Sequence, residues 1–442
     1  MSHKTDLVAA IDIGTTKIVA IVGKKKENGK IDILGISKTP SKGVKRGVVQ
    51  NIDEAVNSIQ KTVEDVQFTI GKEIKDVFVG IAGQHIRSIK NRGYINRDSY
   101  DDEITRKDID DLVNDMYKIP IDFGEEIIHV LPQNYIVDNE PGIKNPVGMS
   151  GKRVEANFHI VIGQVASARN ISKCITKAGL KLNSLILEPL ASSESVLTDD
   201  EKEAGVALVD IGGGTTDIAV FYDDIIRHTA VIPFGGDVVT KDIKEGCSIL
   251  QRQAELLKIQ YGSALGDLAK EEEVVSIPGI SGREPKEISF KSLAYIIQSR
   301  MEEILDAVIY EIENSGYFDR LSAGIVITGG GALLKHLPAL VKFKTGMDVR
   351  VGYPSEHLVN DSNSEVNDPM FATSVGLVLK GYEHIEKNKR SFVADEEEIK
   401  ETEQEKAEDE EIREGNKEPK QGIMHTIKKV FTDMFDEGDV EM

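Results

Sequence analysis

Cysteine is nearly missing from this 442-residue chain, occurring only at Cys174 and Cys247. Two thiols in no metal-type spacing provide no disulfide framework, and they suit a reduced cytoplasm. Long apolar runs are missing as well. None approaches the roughly 18–20 residues that a spanning helix needs. The opening residues, MSHKTDLVAA, lack the basic-then-apolar form of a secretory signal. Positive charge is in deficit: 54 Lys and Arg face 75 Asp and Glu, for a net charge of −21. That balance opposes a general role on nucleic acid. The remainder is 40% hydrophobic and long enough for more than one folding unit. The chain reads as acidic, multi-domain and intracellular.

What is present is a pattern written twice. Residues 7–22 read LVAAIDIGTTKIVAIV, and residues 206–221 read VALVDIGGGTTDIAVF. Each is a β-branched apolar run that reaches an aspartate, turns through glycine and threonine, and leaves as another apolar run. Glycine-rich phosphate loops of the Walker and Rossmann kinds open into a helix. Here Ile18, Val19, Ile21 and Val22, and Ile218, Val220 and Phe221, are strand formers. Each copy therefore reads as a β-hairpin. Gly14 and Gly212, Gly213 and Gly214 let backbone N–H groups approach a phosphate. Thr15, Thr16, Thr215 and Thr216 add hydroxyls, and Lys17 adds a positive charge to the first tip. Asp12 and Asp210 are placed to face each other across the phosphates and hold Mg²⁺ through its waters. Asp217 closes the second motif. Two ordinary hairpins with turn glycines are the plain alternative, and a second near-identical copy with its own strand aspartate argues against it. A buried carboxylate is retained for a reason.

The repeat implies a duplicated α/β fold, two lobes around a nucleotide cleft. A third motif, GIVITGGGALLKHLPAL at 324–340, has an apolar strand ending at Gly329, Gly330 and Gly331, with a helical pattern from Ala332. A strand-to-helix glycine turn lets a flat adenine lie against backbone.

With these motifs the chain resembles the actin-like ATPase superfamily. DIGTTK is similar to its first phosphate motif, DIGGGTTD to its second and ITGGGALL to its adenosine motif. LILEPLASSESVL (185–197) resembles the connecting helix whose polar residue positions the attacking water, here Glu188. AELLKIQYGSA (254–264) resembles the helix whose Glu and Lys reach ribose and adenine, here Glu255 and Lys258. Their i, i+3 spacing also permits a plain ion pair. FGGDVV (234–239) resembles the loop that meets the terminal phosphates through Gly235 and Gly236. Within the superfamily, residues 84–161 resemble the relocated 1C subdomain of the FtsA family of bacterial cell-division proteins. The runs LPQNYIVD and GIKNPVGMSGKRVEANFHI carry that likeness, which covers about residues 5–385.

The resemblance implies subdomain 1A over 1–83 and 162–192, 1C over 84–161, 2A over 193–228 and 313–385, and 2B over 229–312. It implies ATP and Mg²⁺ as ligands, and actin-like filaments on the cytoplasmic face of the cell membrane at the division septum. It implies tethering of FtsZ through 2B and self-association and recruitment of later division proteins through 1C. Turnover is expected to be weak: Glu188 orients water while Asp12, Asp210 and Asp217 order the magnesium hydration shell, with ATP acting chiefly as a conformational ligand. A favourable carboxylate in a first helical turn is the plain reading of Glu188. His129 and His159 read as structural, and KKKENGK (24–30) as a hairpin turn.

Residues 395–418, DEEEIKETEQEKAEDEEIREGNKE, carry almost no large apolar side chain. Such a segment cannot offset its ordering entropy, so 386–421 reads as a disordered acidic linker. Beyond it, over 422–437, Ile423, Met424, Ile427, Val430, Phe431, Met434 and Phe435 follow one helical face, and Lys428 and Lys429 suit lipid headgroups. Such a helix lies on a membrane or docks on a protein. Membrane is the expectation, with multivalency supplying firm attachment. Two other readings compete. A PilM-like protein of pilus assembly is also actin-like, but the terminal helix and NPVGMSG oppose it. A DnaK-type chaperone needs a substrate-binding β-domain that the residues after 385 do not supply.

Overall fold

Each repeated run folds back on itself. The structure, a computed structural model, describes residues 7–99, 102–270, 272–279, 284–355, 357–359 and 364–387. The acidic linker from 388 onward and the terminal amphipathic stretch, Ile423 to Phe435, lie outside the described residues. The chain divides into two units, Met1–Tyr382 and Glu383–Met442. The described part of the second is a helical stretch over 383–387, and the first carries everything that follows.

Strands β1 (Leu7–Ile13) and β2 (Lys17–Lys25) pair antiparallel around the first glycine turn. Ile18, Val19, Ile21 and Val22 are at most 1% exposed, and burying each contributes about 1.5–3 kcal/mol. Residues 26–30 of KKKENGK turn the chain into β3 (Ile31–Pro40), Lys26 N–H donating to the Lys30 carbonyl. A small hairpin, β4 (Val44–Lys45) and β5 (Val48–Val49), precedes α1 (Ile52–Ile70). Helix α1 starts where the Asn51 side chain accepts the Glu54 N–H. It buries Ala55, Val56, Ile59, Val63 and Val66 at helical spacing, and stops at Gly71, whose φ of 64° favours glycine. Strand β6 (Asp76–Ile81) then joins β1 in parallel.

The chain leaves this sheet after β6 to build an insert. Strands β7 (Arg87–Asn96), β8 (Glu125–Val137), β9 (Glu140–Ile143) and β10 (Arg153–Gln164) form an antiparallel sheet in the order β7-β10-β8-β9. Helix α2 (Arg106–Met116), capped by a Thr105–Asp108 box, adds Ile109 and Leu112 to a separate core with Phe158 and Ile160. Strand β10 runs into α3 (Val165–Lys177), and β11 (Lys181–Leu187) returns to the first sheet. Helix α4 (Glu188–Val196) crosses to the second lobe, followed by α5 (Asp199–Ala204).

The second lobe repeats the first. Strands β12 (Val206–Ile211), β13 (Thr216–Tyr222) and β14 (Ile225–Ile232) form the antiparallel part. Helices α6 (Gly236–Cys247) and α7 (Gln251–Tyr261), the ribbon β15 (Val274–Ile277) and β16 (Lys286–Ser289), and α8 (Phe290–Asn314) come next. Strands β17 (Ile325–Thr328) and β18 (Val349–Val351), with α9 (Leu337–Thr345) between them, add the parallel part. The sheets run β3-β2-β1-β6-β11 and β14-β13-β12-β17-β18, the same strand order with the same directions. This is the duplicated α/β architecture that the paired motifs imply.

One expectation is corrected. No α-helix starts at Ala332: a single 3₁₀ turn covers Gly330–Leu333, and α9 begins only at Leu337. His336 takes a left-handed φ of 65° and Pro338 follows in the first helical turn, so the break sits where those two residues put it. Among the described residues no helix is long and apolar enough to cross a membrane.

Candidate nucleotide site

Both hairpin tips lie at the same end of their sheets, and they touch. A Cβ added to Gly213 would sit 2.8 Å from Thr16 Oγ1, and one added to Gly214 would sit 2.7 Å from Thr15 Cβ. Only glycine permits this approach. Thr15 Oγ1 accepts the Gly47 N–H at 3.1 Å, and Thr216 Oγ1 donates to the Phe234 carbonyl at 2.8 Å, so each tip is braced from its own lobe.

Three buried aspartates stand behind the tips. Asp12 is 7% exposed, Asp210 5% and Asp217 3%. Ser374 donates to Asp12 Oδ2 at 3.1 Å. Ser192 and Thr373 donate to Asp210 Oδ2 at 2.6 and 3.0 Å. Thr215 donates to Asp217 Oδ2 at 3.2 Å, whereas Asp217 Oδ1 is buried with no partner. Asp210 and Asp217 are also direct cross-strand partners, a like-charge pair that a sheet disfavours. Glu188 opens α4 and sits against Gly80, where a Cβ would come within 3.1 Å of Glu188 Oε1.

The electrostatics follow from this crowding. Burial raises the pKa of Asp12, Asp210, Asp217 and Glu188 above the ordinary carboxylate range. Neighbouring carboxylates push Glu188 and Asp217 further, to well above it. Lys17 opposes the rise for Asp12, Asp210 and Glu188, and among the described residues it is the one cation doing so. Its ammonium lies 5.7 Å from the centre of the Phe371 ring. A site with four carboxyl groups and one lysine is short of positive charge.

The other expected residues arrive at the same place. Gly235 caps α6. The Gly236 and Asp237 N–H groups donate to the Gly212 and Gly213 carbonyls at 2.9 and 2.7 Å, which docks α6 on the second tip. Lys258 pairs with Glu255 at 2.8 Å and donates to the Gly236 carbonyl at 3.0 Å and to Thr240 Oγ1 at 2.8 Å. The ion pair that their spacing permits is thus formed, against α6. Gly329, at φ 82°, lies beside Asp210 and the Ile211 carbonyl, where a side chain has no room. Gly330 faces open space, its nearest neighbour being Met370 Cβ at 4.0 Å. Ala332 is buried in the second-lobe core. Gly14 lies behind Thr15, close to Asp12.

Sequence reasoning missed the groups that aim the aspartates. Thr373 and Ser374 are remote in sequence from the carboxylates they reach, by 163 and 362 positions, and Ser192 lies 18 positions from Asp210 on a separate element. The available signal was local: the hydroxyl residues of the ASSES and FATSV runs are poor helix formers, set where a buried acceptor can employ them.

The residues present fit a magnesium nucleotide. Asp217 Oδ1 is an orphaned buried acceptor, and positive charge is short beside four buried carboxyl groups. Among the described residues, no three His, Cys, Asp or Glu side chains gather to hold a metal; Asp12, Asp210 and Asp217 are the carboxylates that would face a cation's water shell.

Comparisons with known proteins bear on the family and the fold. The family described as "Cell division protein FtsA" matches residues 207–376, and "SHS2 domain inserted in FTSA" matches residues 83–162. "Cell division protein FtsA" of Pseudomonas aeruginosa is 42% identical over 375 residues, 85% of this chain and 89% of that protein. Among solved structures, the "PilM-PilN type IV pilus biogenesis complex" superposes with a TM-score of 0.60 at 15% identity, covering 85% of this chain and 98% of that one. MreB 5 of Spiroplasma citri bound to AMPPNP gives 0.55 at 15% identity, covering 88% of this chain and 99% of that one. At those identities the likeness is of fold: this chain has the actin-like ATPase fold.

Proposed function

The chain belongs to the FtsA family of cell-division proteins, and on that footing we propose that it binds Mg-ATP between its two lobes and assembles on the cytoplasmic face of the cell membrane at the division septum. There it tethers FtsZ filaments and recruits later division proteins. The observation that carries the nucleotide part is the contact of the two glycine tips over Asp12, Asp210 and Asp217, with one buried Asp217 oxygen unpaired.

Bound Mg-ATP supplies the phosphoanhydride and the cationic charge that the site lacks. The tip glycines and threonines cradle phosphate, and Lys17 neutralises part of its charge. Asp12, Asp210 and Asp217, held by Ser374, Ser192, Thr373 and Thr215, are the carboxylates that would hold the hydrated cation when it is bound. Glu188 would orient a water molecule, Gly329–Gly331 would hold the adenosine, and Glu255 and Lys258 would hold the ribose and base. Turnover is slow, and nucleotide acts chiefly by favouring the assembled state. The 1A, 1C, 2A and 2B boundaries belong to this proposal. So does the terminal helix, with Ile423, Met424, Ile427, Val430, Phe431, Met434 and Phe435 in the bilayer surface and Lys428 and Lys429 at headgroups. A PilM-like role in pilus assembly rests on fold alone, whereas the sequence relatives carry the division name.

The test is liposome co-sedimentation of the full chain and of a truncation ending at Gln421, each with and without Mg-ATP. Pelleting that needs the tail and strengthens with ATP is expected. Equal pelleting of both chains overturns the tail as anchor. Pelleting of neither favours protein docking.

A further inference from the structure

The insert meets the second lobe along β14. Gln133 Nε2 donates to the Ile226 carbonyl at 2.9 Å, Ser88 Oγ donates to the Thr229 carbonyl at 3.3 Å, and His159 Nε2 lies 2.8 Å from Thr229 Oγ1. Beside these contacts a cavity of about 460 Å³ opens between the two bodies. Strand β7 lines it with Lys90 and Arg92, β8 with Asn134, β10 with Asn157, and the second lobe with Arg227 and Tyr317. The lining holds three cations and no carboxylate.

Two of those cations lack a counter-charge among the described residues. Arg227 is 6% exposed, and a buried guanidinium is normally paired with an anion. Its bonds here go to neutral acceptors: Nε donates to the Tyr222 carbonyl at 3.1 Å and Nη1 to Asn134 Oδ1 at 3.0 Å. The guanidinium carbon lies 5.4 Å from the centre of the Tyr317 ring, which orients the fork without neutralising it. Nη2 makes no hydrogen bond among the described residues. Lys90 has neither an ion pair nor a hydrogen bond among the described residues. Arg92 differs, since it pairs with the buried Glu155, which also takes Arg153.

We propose that this cavity is a second anion site, in which Arg227 and Lys90 hold a small phosphate-bearing anion that bridges the insert to β14. The guanidinium fork presents a free donor edge of the kind that phosphate oxygens accept. The cavity exceeds one phosphate, so the chemistry fits a di- or polyphosphate group with the Asn157 amide as a further donor. The site is distinct from the hairpin tips, and its occupant would pin the insert against the second lobe.

The experiment is hydrogen exchange by mass spectrometry on the full chain, titrated with inorganic pyrophosphate without magnesium or nucleotide. Pyrophosphate should slow exchange in peptides covering 87–92 and 225–232. In Lys90→Glu, an exposed substitution that leaves packing intact, the midpoint should weaken at least about tenfold, as loss of a charge-assisted contact implies. Arg227→Gln should abolish the response. Peptides covering 212–216 report the nucleotide tips separately and should behave alike in all three proteins. Equal slowing of β14 in the variants, or a response confined to 212–216, overturns the proposal. So does slowing by a polyglutamate peptide but not by pyrophosphate, which would reassign the cavity to an acidic polypeptide.

Discussion

The backbone N–H of Leu187 donates to Nε2 of His129 at 3.0 Å, joining the insert to the residue that precedes Glu188. A neutral imidazole is required, because a protonated one has no acceptor to offer. Burial, aided by the Lys380 charge, keeps it neutral by lowering its pKa to about 4. His129→Phe should therefore leave the Leu187 N–H unpaired and cost about 1–3 kcal/mol. His129→Gln, which keeps an acceptor at a similar reach, should recover most of it. Urea midpoints of the three proteins decide this.

Acidification should weaken the fold through two histidines. His159 is lowered to about 4 by burial, with help from His228 and Lys90. The folded state keeps both rings neutral while the unfolded chain protonates them below the ordinary value of 6.5. Their contribution is complete above pH 6.5 and erodes as pH falls toward 4. Each removes up to ~1.4 kcal/mol per pH unit across that window. The raised site carboxyls act with the opposite sign, since their repulsion is relieved on protonation and returns as pH rises. His129→Gln should shallow the loss between pH 6.5 and 4, as read from urea midpoints.

Asp217→Asn removes one carboxylate of the Asp210–Asp217 cross-strand pair. Without ligand the variant should melt at a higher temperature than the parent, by the equivalent of roughly 0.2–1 kcal/mol. The further stabilisation that Mg-ATP gives the parent should be largely lost. A lower melting temperature without ligand would contradict the like-charge account.

The glycines divide into two kinds. Gly214→Ala drives a methyl group into Thr15 and should cost about 1–3 kcal/mol, with nucleotide affinity falling as the tips part. Gly330→Ala meets nothing nearer than 4.0 Å and should leave stability unchanged. If adenine lies on that turn, Gly330→Ala should still weaken ATP binding, which calorimetric titration would show.

The hairpins were legible because their signal is local: β-branched runs, a strand aspartate and a glycine tip lie within sixteen residues, twice. The third motif was legible as a turn, but its helix start was not, because a left-handed His336 leaves no trace in a hydrophobic pattern. The ion pair of Glu255 with Lys258 was legible from spacing as the plain alternative to their expected nucleotide role, whereas their hold on Gly236 and Thr240 joins separate helices. Ser374 beside Asp12 was out of reach, as only the closed fold brings them together. His129 read as structural, and the structure gives it a definite partner in Leu187.

Strand β14 is the outer strand of its sheet, and such a strand usually offers a row of bare carbonyls to any passing chain. Here Gln133 and Ser88 already occupy the carbonyls of Ile226 and Thr229. Another copy cannot add its own strand at those positions without first lifting the insert away. If the chain assembles as proposed, its subunits meet through other faces, and the insert shields these positions from unordered strand-to-strand pairing while leaving ordered assembly open.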